Sequence, residues 1–304
     1  MYKIFIDGSA GTTGLHIYDR LSERKDIELI ILEEENRKNI DARKEAINKS
    51  DITFLCLPDA ASIEAVSLVE NENTAVIDTS TAHRVNDGWI YGFPELTGYR
   101  EKIAESKRIA NPGCHASGFI SLVAPLVENG IIRHDAALSC FSLTGYSGGG
   151  KKMISEYESD FPDKKLKTPG MYGNTQKHKH LPEMAKICGL EILPVFCPVV
   201  APYYSGMQVT VPLHGIKKSD VEDVYREYYN ENGLISFYPD AENSGTLYAG
   251  EFSGRDDMQV SVCGNDERII LVSRFDNLGK GASGTAIQNM NILMGIKEKS
   301  GLKF

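Results

Sequence analysis

The sequence predicts an α/β protein: an N-terminal Rossmann-type doubly wound parallel sheet, then a second α+β domain on a mixed, largely antiparallel sheet. Three observations lead to this prediction. The chain has 304 residues, more than one typical domain. Short apolar strands alternate with helical segments up to about residue 113, and strand patterns predominate from about residue 137. We expect residues 1–113 plus 284–304 to form the first domain and residues 114–283 the second.

The first strand, residues 2–7, runs into a glycine-rich turn and then a helix with Leu15, Tyr18 and Leu21 at helical spacing. Backbone N–H groups of such a turn, together with the helix dipole, can bind the pyrophosphate of a dinucleotide. A strand-to-helix turn without a ligand is the alternative, since G-x-x-G-x-x-G is a variant of the usual fingerprint. The candidate cofactor-binding residues are Gly8, Ser9, Ala10, Gly11, Thr12, Thr13 and Gly14.

Strands are also predicted at residues 27–32, 52–57 and 75–78, with a helix at 60–69. The loops after such strands line a cofactor crevice. Glu33 in the first of these loops suits the ribose 2′-hydroxyl of NAD, whereas Arg37 suits the 2′-phosphate of NADP, so the charges alone leave this choice open. Ser80 and Arg84 follow the strand that ends at residue 78.

Cys114 follows a Pro-Gly bend and opens an apolar segment, residues 116–127, that alternates like a helix. At a helix N-terminus the unpaired N–H groups and the macrodipole favour thiolate over thiol, as a sulfur nucleophile requires. A buried structural cysteine is the alternative. The neighbouring motifs favour the nucleophile.

The second half of the chain contains predicted strands at residues 137–143, 192–200, 207–213, 259–263 and 269–275, and a helix at 219–229. Residues 144–152 are predicted to form a loop with exposed amides and two cations, suited to phosphate. His178 and His180 are expected on opposite sides of an extended segment, so that only one faces a cleft. A glycine-rich turn, residues 279–284, precedes a C-terminal helix at 285–294 that we expect to return to the first domain.

The amino-acid composition argues against several classes of binding partner. With 33 basic and 42 acidic residues the net charge is −9, which argues against nucleic acid and anionic membranes. The six cysteines and seven histidines show no metal-ligand spacing, so no metal is expected. We expect core thiols in a reducing cytoplasm, with no export signal and no membrane span.

Five motifs in order carry a resemblance to a known family. They are the glycine turn at 8–14, Asn-Pro-Gly-Cys at 111–114, Gly-Tyr-Ser-Gly-Gly-Gly at 145–150, His-Lys-His-Leu-Pro-Glu-Met at 178–184 and Gly-Lys-Gly-Ala-Ser-Gly at 279–284. Together they closely resemble the shorter type of N-acetyl-gamma-glutamyl-phosphate reductase, nearly end to end. His115 departs from the tyrosine expected there, which leaves open whether a third histidine tunes the nucleophile.

The resemblance implies NADPH-dependent reduction of N-acetyl-gamma-glutamyl phosphate through a cysteine thioester in arginine biosynthesis, on a fold shared with aspartate-semialdehyde dehydrogenase. Cys114 would be the nucleophile, and His180, next to Leu-Pro-Glu, the acid/base, with His178 as second candidate. Gly145, Gly148 and Gly284 join the cofactor-binding candidates. Arg84 first and Lys151 second are candidates for binding the substrate's carboxylate or phosphate, unless they are surface charges.

Two other functions stay open at this point. Another acyl-phosphate reductase, such as aspartate-semialdehyde dehydrogenase, would use the same cysteine chemistry but accept a free ammonium in place of an acetamide. A non-catalytic NADPH-binding redox sensor using Cys114 would show no phosphate-dependent turnover. The motifs also leave open a carrier-linked or longer-chain substrate, and the family implies a homodimer or homotetramer.

Overall fold

The computed structural model describes residues 1–229 and 233–304. The strands are β1 Tyr2–Asp7, β2 Ile27–Ile30, β3 Ile52–Leu55, β4 Ala75–Asp78, β5 Ile90–Tyr91, β6 Arg108–Ala110, β7 Ser139–Gly145, β8 Gly170–Met171, β9 Val195–Ala201, β10 Met207–His214, β11 Ile235–Phe237, β12 Met258–Asn265 and β13 Arg268–Phe275. The α-helices are α1 Thr12–Ser22, α2 Ile40–Lys49, α3 Asp59–Ser67, α4 Tyr99–Glu105, α5 Cys114–Glu128, α6 Gly150–Tyr157, α7 Leu181–Cys188, α8 Lys218–Tyr228 and α9 Gly284–Leu293.

The chain divides into two compact units. The first contains Met1–Pro112 and Ala282–Lys303, and the second contains Gly113–Gly281 with the terminal Phe304. The C-terminal helix α9 therefore belongs to the same unit as the N-terminal strands. The assignment of a cofactor role to one unit and a catalytic role to the other stays a prediction.

The first unit is built on a six-stranded parallel sheet in the order β2-β1-β3-β4-β6-β5. Every residue of β3 and β4 is buried, as expected for strands covered on both faces. Ile4 and Ile6 pack with α1, α4 and α9 in one core, whereas Phe5 faces a second core with residues of α2 and α3. The doubly wound prediction is confirmed.

The second unit contains a seven-stranded mixed sheet in the order β11-β12-β13-β10-β7-β9-β8. Its β10, β12 and β13 pair antiparallel, while β7 pairs with β9 in parallel. Helix α5 covers one face so closely that a Cβ on Gly118 would lie 2.4 Å from a methyl of Val209. The predicted mixed, largely antiparallel sheet is confirmed.

The prediction that residues 144–152 form a loop with exposed amides is wrong in detail. Tyr146–Gly149 forms a 3₁₀ turn that leads directly into α6. The N–H groups of Gly145, Tyr146 and Ser147 donate to the carbonyls of Gly206, Tyr203 and Tyr204. The glycines there permit close packing, since a Cβ on Gly145 would lie 2.5 Å from the Tyr204 carbonyl oxygen.

Within the described residues, none of the helices has both the length and the apolar character needed to cross a bilayer.

Candidate active site

Cys114 is the first residue of α5 and directly follows the strand β6 and the Asn-Pro-Gly bend. Gly113 is the N-cap in extended conformation and offers no side-chain cap, and the first turn contains no acidic residue. The uncapped N–H groups and the positive end of the helix dipole therefore act on the half-buried Cys114 thiol, and both favour the thiolate.

Three of the other cysteines are in surroundings that disfavour the thiolate. Burial raises the pKa of the Cys56 thiol to about 12 and raises the pKa values of Cys140 and Cys188 even further. These thiols stay protonated at neutral pH and pack as small apolar groups. The prediction of core thiols holds for Cys140 and Cys188, which are buried, whereas Cys56 is partly buried and packs against the core.

His178 and His180 do not lie on opposite sides of an extended segment, so that prediction is wrong. The chain turns here, with the N–H of Leu181 donating to the carbonyl of His178 at 3.0 Å. The two imidazole centroids are 4.8 Å apart, and the N–H of His180 donates to Nδ1 of His178. Both rings also pack against His115, with centroid distances of 5.8 and 5.4 Å. The turn thus places both histidines in one cluster.

The two histidines differ in exposure and surroundings. His180 is buried and precedes Leu181–Cys188, with Pro182 in the first turn of the helix. Its Nε2 lies 3.8 Å from a carboxylate oxygen of Glu183. His178 is half-buried, and burial, followed by the nearby Lys179 charge, lowers its pKa. A carboxylate beside an imidazole favours the protonated ring, so the surroundings of His180 suit an acid/base better than those of His178.

Glu183 is a site residue that the sequence analysis did not assign a role. Its side chain is 1% exposed, and Oε2 accepts a hydrogen bond of 3.2 Å from the N–H of Gly113. One buried carboxylate therefore contacts both the start of the cysteine helix and the imidazole of His180. The Leu-Pro-Glu sequence after the histidines was the available signal.

Gly281 is a second residue without a predicted role. It closes a π-helical turn, Gly279–Ser283, in which the Gly281 N–H donates to the carbonyl of Asp276. A Cβ at Gly281 would lie 2.9 Å from Cβ of Cys114 and 3.0 Å from that carbonyl oxygen. Only glycine leaves room for the cysteine side chain at this point.

The first unit contains a cavity of about 460 Å³ at the carboxyl end of β1. Gly8, Ser9, Ala10 and Arg37, four of the residues predicted to bind the cofactor, line it, and their binding role stays a prediction. Its other charged lining residues are Asp7, Glu34, Lys38 and Arg43. Glu33 is absent from the lining. The cationic side chains at the end of β2 suit the 2′-phosphate of NADP.

The glycine turn has the geometry of a phosphate cradle. Gly8 has φ +86°, and a Cβ there would lie 2.3 Å from the Cys56 carbonyl oxygen. Gly11 is the uncapped N-cap of α1, which continues through Thr12, Thr13 and Gly14. Among the described residues, the buried Oγ1 of Thr12 and the buried Nη2 of Arg43 have no hydrogen-bond partner. A bound dinucleotide phosphate would satisfy donors of this kind.

Arg43 itself was not predicted as a site residue. Its Nε donates to the buried Asp7 at 3.0 Å and its Nη1 contacts Glu64 at 2.8 Å. These two bonds fix the guanidinium beside the cavity. The helical position of Arg43 in α2 gave no sequence signal, because its ion pair with the end of β1 spans 36 residues.

The remaining predicted residues lie in several places. Arg84 donates from Nε to the carbonyl of Asn111 and from Nη2 to that of Thr79, so it joins the ends of β4 and β6. Ser80 is buried with its hydroxyl donating to Asp78 at 2.7 Å. Lys151 is exposed on α6. Gly284 begins α9 in the first unit, whereas Gly145 and Gly148 belong to the second. Their ligand roles stay predictions.

Comparison with known proteins agrees with both units. The family described as "Semialdehyde dehydrogenase, NAD binding domain" matches residues 30–106, and "Semialdehyde dehydrogenase, dimerisation domain" matches residues 114–277. A relative from Nostoc sp. named N-acetyl-gamma-glutamyl-phosphate reductase 2 is 43% identical, covering 99% of each chain. The N-acetyl-gamma-glutamyl-phosphate reductase of Brucella suis is 44% identical over 96% of this chain and 99% of its own.

Solved structures share the fold at low identity. Aspartate semialdehyde dehydrogenase II of Vibrio cholerae, complexed with ASA, has a TM-score of 0.70 at 16% identity, covering 97% of this chain and 98% of its own. Aspartate semialdehyde dehydrogenase of Candida albicans, with NADP, has a TM-score of 0.71 at 16% identity and the same coverage. The resemblance carried by the five motifs is confirmed, and the chain belongs to the N-acetyl-gamma-glutamyl-phosphate reductase family of oxidoreductases.

Proposed function

We propose that this enzyme reduces N-acetyl-L-glutamyl 5-phosphate to N-acetyl-L-glutamate 5-semialdehyde and phosphate, with NADPH, in arginine biosynthesis. The observation that carries the proposal is Cys114 at an uncapped helix N-terminus, with His180 and Glu183 at the same helix end. Full-length relatives that carry this enzyme's name support the substrate. The 14–18% identity to aspartate semialdehyde dehydrogenases supports only the fold.

Cys114 acts first. Its thiolate attacks the acyl carbon, the C–O bond to phosphate breaks, and phosphate leaves a thioester on the sulfur. The N–H groups of the first turn of α5 stabilise the oxyanion that forms in this step, a contribution of roughly 3 kcal/mol per donor in comparable sites. The carbonyl carbon of the substrate thereby becomes a hydride acceptor that is covalently attached to the protein.

His180 moves the protons. It takes the proton from the Cys114 thiol and gives a proton to the oxyanion of the reduced adduct. It takes that proton back when the resulting thiohemiacetal collapses to aldehyde and free thiolate. Glu183 holds the imidazole and stabilises its protonated form, because its carboxylate is buried beside Nε2. His178 packs on the same ring and is the second candidate.

The first unit holds the cofactor. The cradle at Gly8–Gly14 would bind the pyrophosphate, and Arg37 with Lys38 would bind the 2′-phosphate at the cavity. The chemistry that bound NADPH supplies is the hydride that reduces the thioester. Arg84 would bind an anionic group of the substrate through its guanidinium, with Lys151 as second candidate.

We further propose a homodimer formed through the uncovered face of the seven-stranded sheet, with a homotetramer as the alternative. Residues of that face alternate with the buried face along each strand. Phe141, Val195 and Ile270 on it are 52%, 54% and 42% exposed. An apolar sheet face of this kind is typical of a subunit interface. The cytoplasm as compartment stays a prediction.

The reverse reaction tests the function. Purified enzyme is mixed with N-acetylglutamate 5-semialdehyde, phosphate and NADP, and reduction of NADP is followed by absorbance. We expect phosphate-dependent turnover that Cys114→Ser abolishes while nucleotide binding persists. Faster turnover of aspartate semialdehyde would assign the other acyl-phosphate reductase. Nucleotide binding without turnover of either semialdehyde would assign a redox sensor.

A further inference from the structure

Gln176, two residues before His178, has a backbone conformation that glutamine rarely adopts. Its φ is +55°, and among the described residues it is the only one other than glycine with a positive φ. In this left-handed region the Cβ of an L-residue crowds the backbone, so glycine is favoured there and asparagine is tolerated. Surrounding contacts must hold such a conformation, and residues of this kind are frequent at active sites.

The side-chain amide of Gln176 binds the main chain of Phe196 on β9. Its Nε2 donates to the Phe196 carbonyl at 2.7 Å, and its Oε1 accepts from the Phe196 N–H at 2.9 Å. The neighbouring bond on this edge of β9 runs from the N–H of Tyr172, directly after β8, to the carbonyl of Pro198 at 3.1 Å. The Gln176 amide therefore continues the pairing of β8 with β9 by one more position.

The chain between these two attachments makes a turn. The main-chain N–H of Gln176 donates to the carbonyl of Gly173 at 3.0 Å. Gly173 has φ +66°, and a Cβ there would lie 3.2 Å from Cγ of Pro198 and 3.7 Å from Cδ2 of His178. The turn thus packs between the edge of β9 and the His178 ring.

Phe196 links the Gln176 amide to the histidine cluster. Its side chain is 1% exposed, and its ring centroid lies 5.0 Å from that of His178 and 5.3 Å from that of His115. The main chain of Phe196 therefore binds Gln176 while its ring packs on His178. Because the N–H of His180 donates to Nδ1 of His178, a displacement of His178 would also displace His180.

We propose that Gln176 is a positioning residue for the pair His178 and His180. Its amide holds the turn against β9, and the left-handed backbone is retained because it directs this amide to Phe196. The inference rests on the proposed role of His180 as the acid/base. Gln176 acts on the reaction only through the place that it gives to the imidazoles.

Two variants separate this role from that of a simple turn residue. Gln176→Asn and Gln176→Gly both suit a φ of +55° better than glutamine, so both variants should fold. Asparagine is one methylene shorter and glycine has no amide, so neither can keep both bonds to Phe196. A role in the turn alone predicts wild-type activity for both.

Steady-state kinetics of both variants give the first measurement. We expect kcat to fall roughly tenfold to hundredfold, the size of effect that a displacement of about 1 Å produces, with an unchanged KM for the nucleotide. Asn174→Ala changes an exposed side chain of the same turn and should keep the wild-type kcat. Wild-type kcat in both Gln176 variants would overturn the proposal.

Diethyl pyrocarbonate tests the position of the histidines without substrate or nucleotide. It modifies neutral imidazoles that solvent reaches, and mass spectrometry gives the rate for each histidine. His180 is buried, and in Gln176→Asn we expect its rate to rise roughly fivefold, because a lost hydrogen bond shifts a local opening equilibrium by about that factor. The exposed His214 is the internal reference. An unchanged His180 rate would contradict the proposal.

The two measurements distinguish this inference from the proposed function. If the wild type lacked reductase turnover but the His180 rate rose in Gln176→Asn, only the proposed function would fail. If the wild type turned over normally and both Gln176 variants kept its kcat and its His180 rate, only this inference would fail.

Discussion

Glu183 accepts a hydrogen bond of 3.2 Å from the main-chain N–H of Gly113, the residue immediately before Cys114. Its other carboxylate oxygen lies 3.8 Å from Nε2 of His180. A single buried carboxylate thus couples the position of the nucleophile's helix to the charge of the imidazole. The effect on the imidazole depends on the negative charge of the carboxylate, whereas the bond from Gly113 requires only an acceptor oxygen.

Glu183→Gln tests this charge. The amide keeps the size of the side chain and can still accept from Gly113, but it no longer stabilises a protonated His180. We expect kcat to fall roughly tenfold and the acidic limb of its pH profile to move about one unit lower. Steady-state rates from pH 5 to pH 9 measure both. Glu191→Gln changes an exposed glutamate of the same unit and should leave the profile unmoved.

Gly281→Ala tests the space beside the nucleophile. The new methyl would lie 2.9 Å from Cβ of Cys114 and 3.0 Å from the main-chain oxygen of Asp276, so Cys114 must shift. We expect kcat to fall roughly 10²-fold, the size of effect that a displacement of about 1 Å produces, with unchanged nucleotide affinity. Gly250→Ala is the control, since its methyl would meet nothing within 4 Å. Equal losses in both variants would refute the steric explanation.

The residues that sequence analysis located correctly are those with local signals. The strand-turn-helix pattern located the glycine cradle, and the Pro-Gly bend located the start of α5 at Cys114. The prediction that His178 and His180 lie on opposite sides of an extended segment was wrong, because the chain turns at Leu181 and does not continue as a strand. The contact of Glu183 with Gly113 spans 70 residues, so no local pattern could indicate it.

His115 makes stability depend on pH in a predictable direction. Its pKa is about 3 in the folded protein, against 6.5 ordinarily, so the unfolded chain binds the proton first. The contribution of neutral His115 to the free energy of unfolding is present above pH 6.5 and is lost as the pH falls toward 3. Relative to His115→Gln, the wild type should lose about 2 kcal/mol of unfolding free energy between pH 6.5 and pH 5. Urea denaturation at both values measures this difference, and parallel losses would contradict it.

Arg37→Ala tests the preference for NADP. Arg37 and Lys38 line the cavity at the end of β2, and a guanidinium bound to a 2′-phosphate makes charge-assisted hydrogen bonds. We expect the KM for NADP to rise roughly tenfold to hundredfold, while the weaker use of NAD changes little. Initial rates with each nucleotide measure the effect, and Lys25→Ala removes an exposed cation of the same unit as control. Equal changes for both nucleotides would exclude a contact with the 2′-phosphate.

Phe141→Glu tests the sheet face as the subunit interface. Phe141 and Ile270 lie on the side of the seven-stranded sheet opposite α5, and Phe141 is 52% exposed. In a two-fold interface each substitution occurs twice, so two buried carboxylates replace two apolar rings. The dissociation constant of the dimer should therefore rise roughly 10³-fold. Sedimentation velocity at micromolar concentration should show monomers for Phe141→Glu and dimers for Ile192→Glu, whose exposed side chain precedes β9. A tetramer needs a second interface, so a tetrameric wild type that Phe141→Glu reduces to dimers would still place this face between subunits. A monomeric wild type would refute the proposed interface.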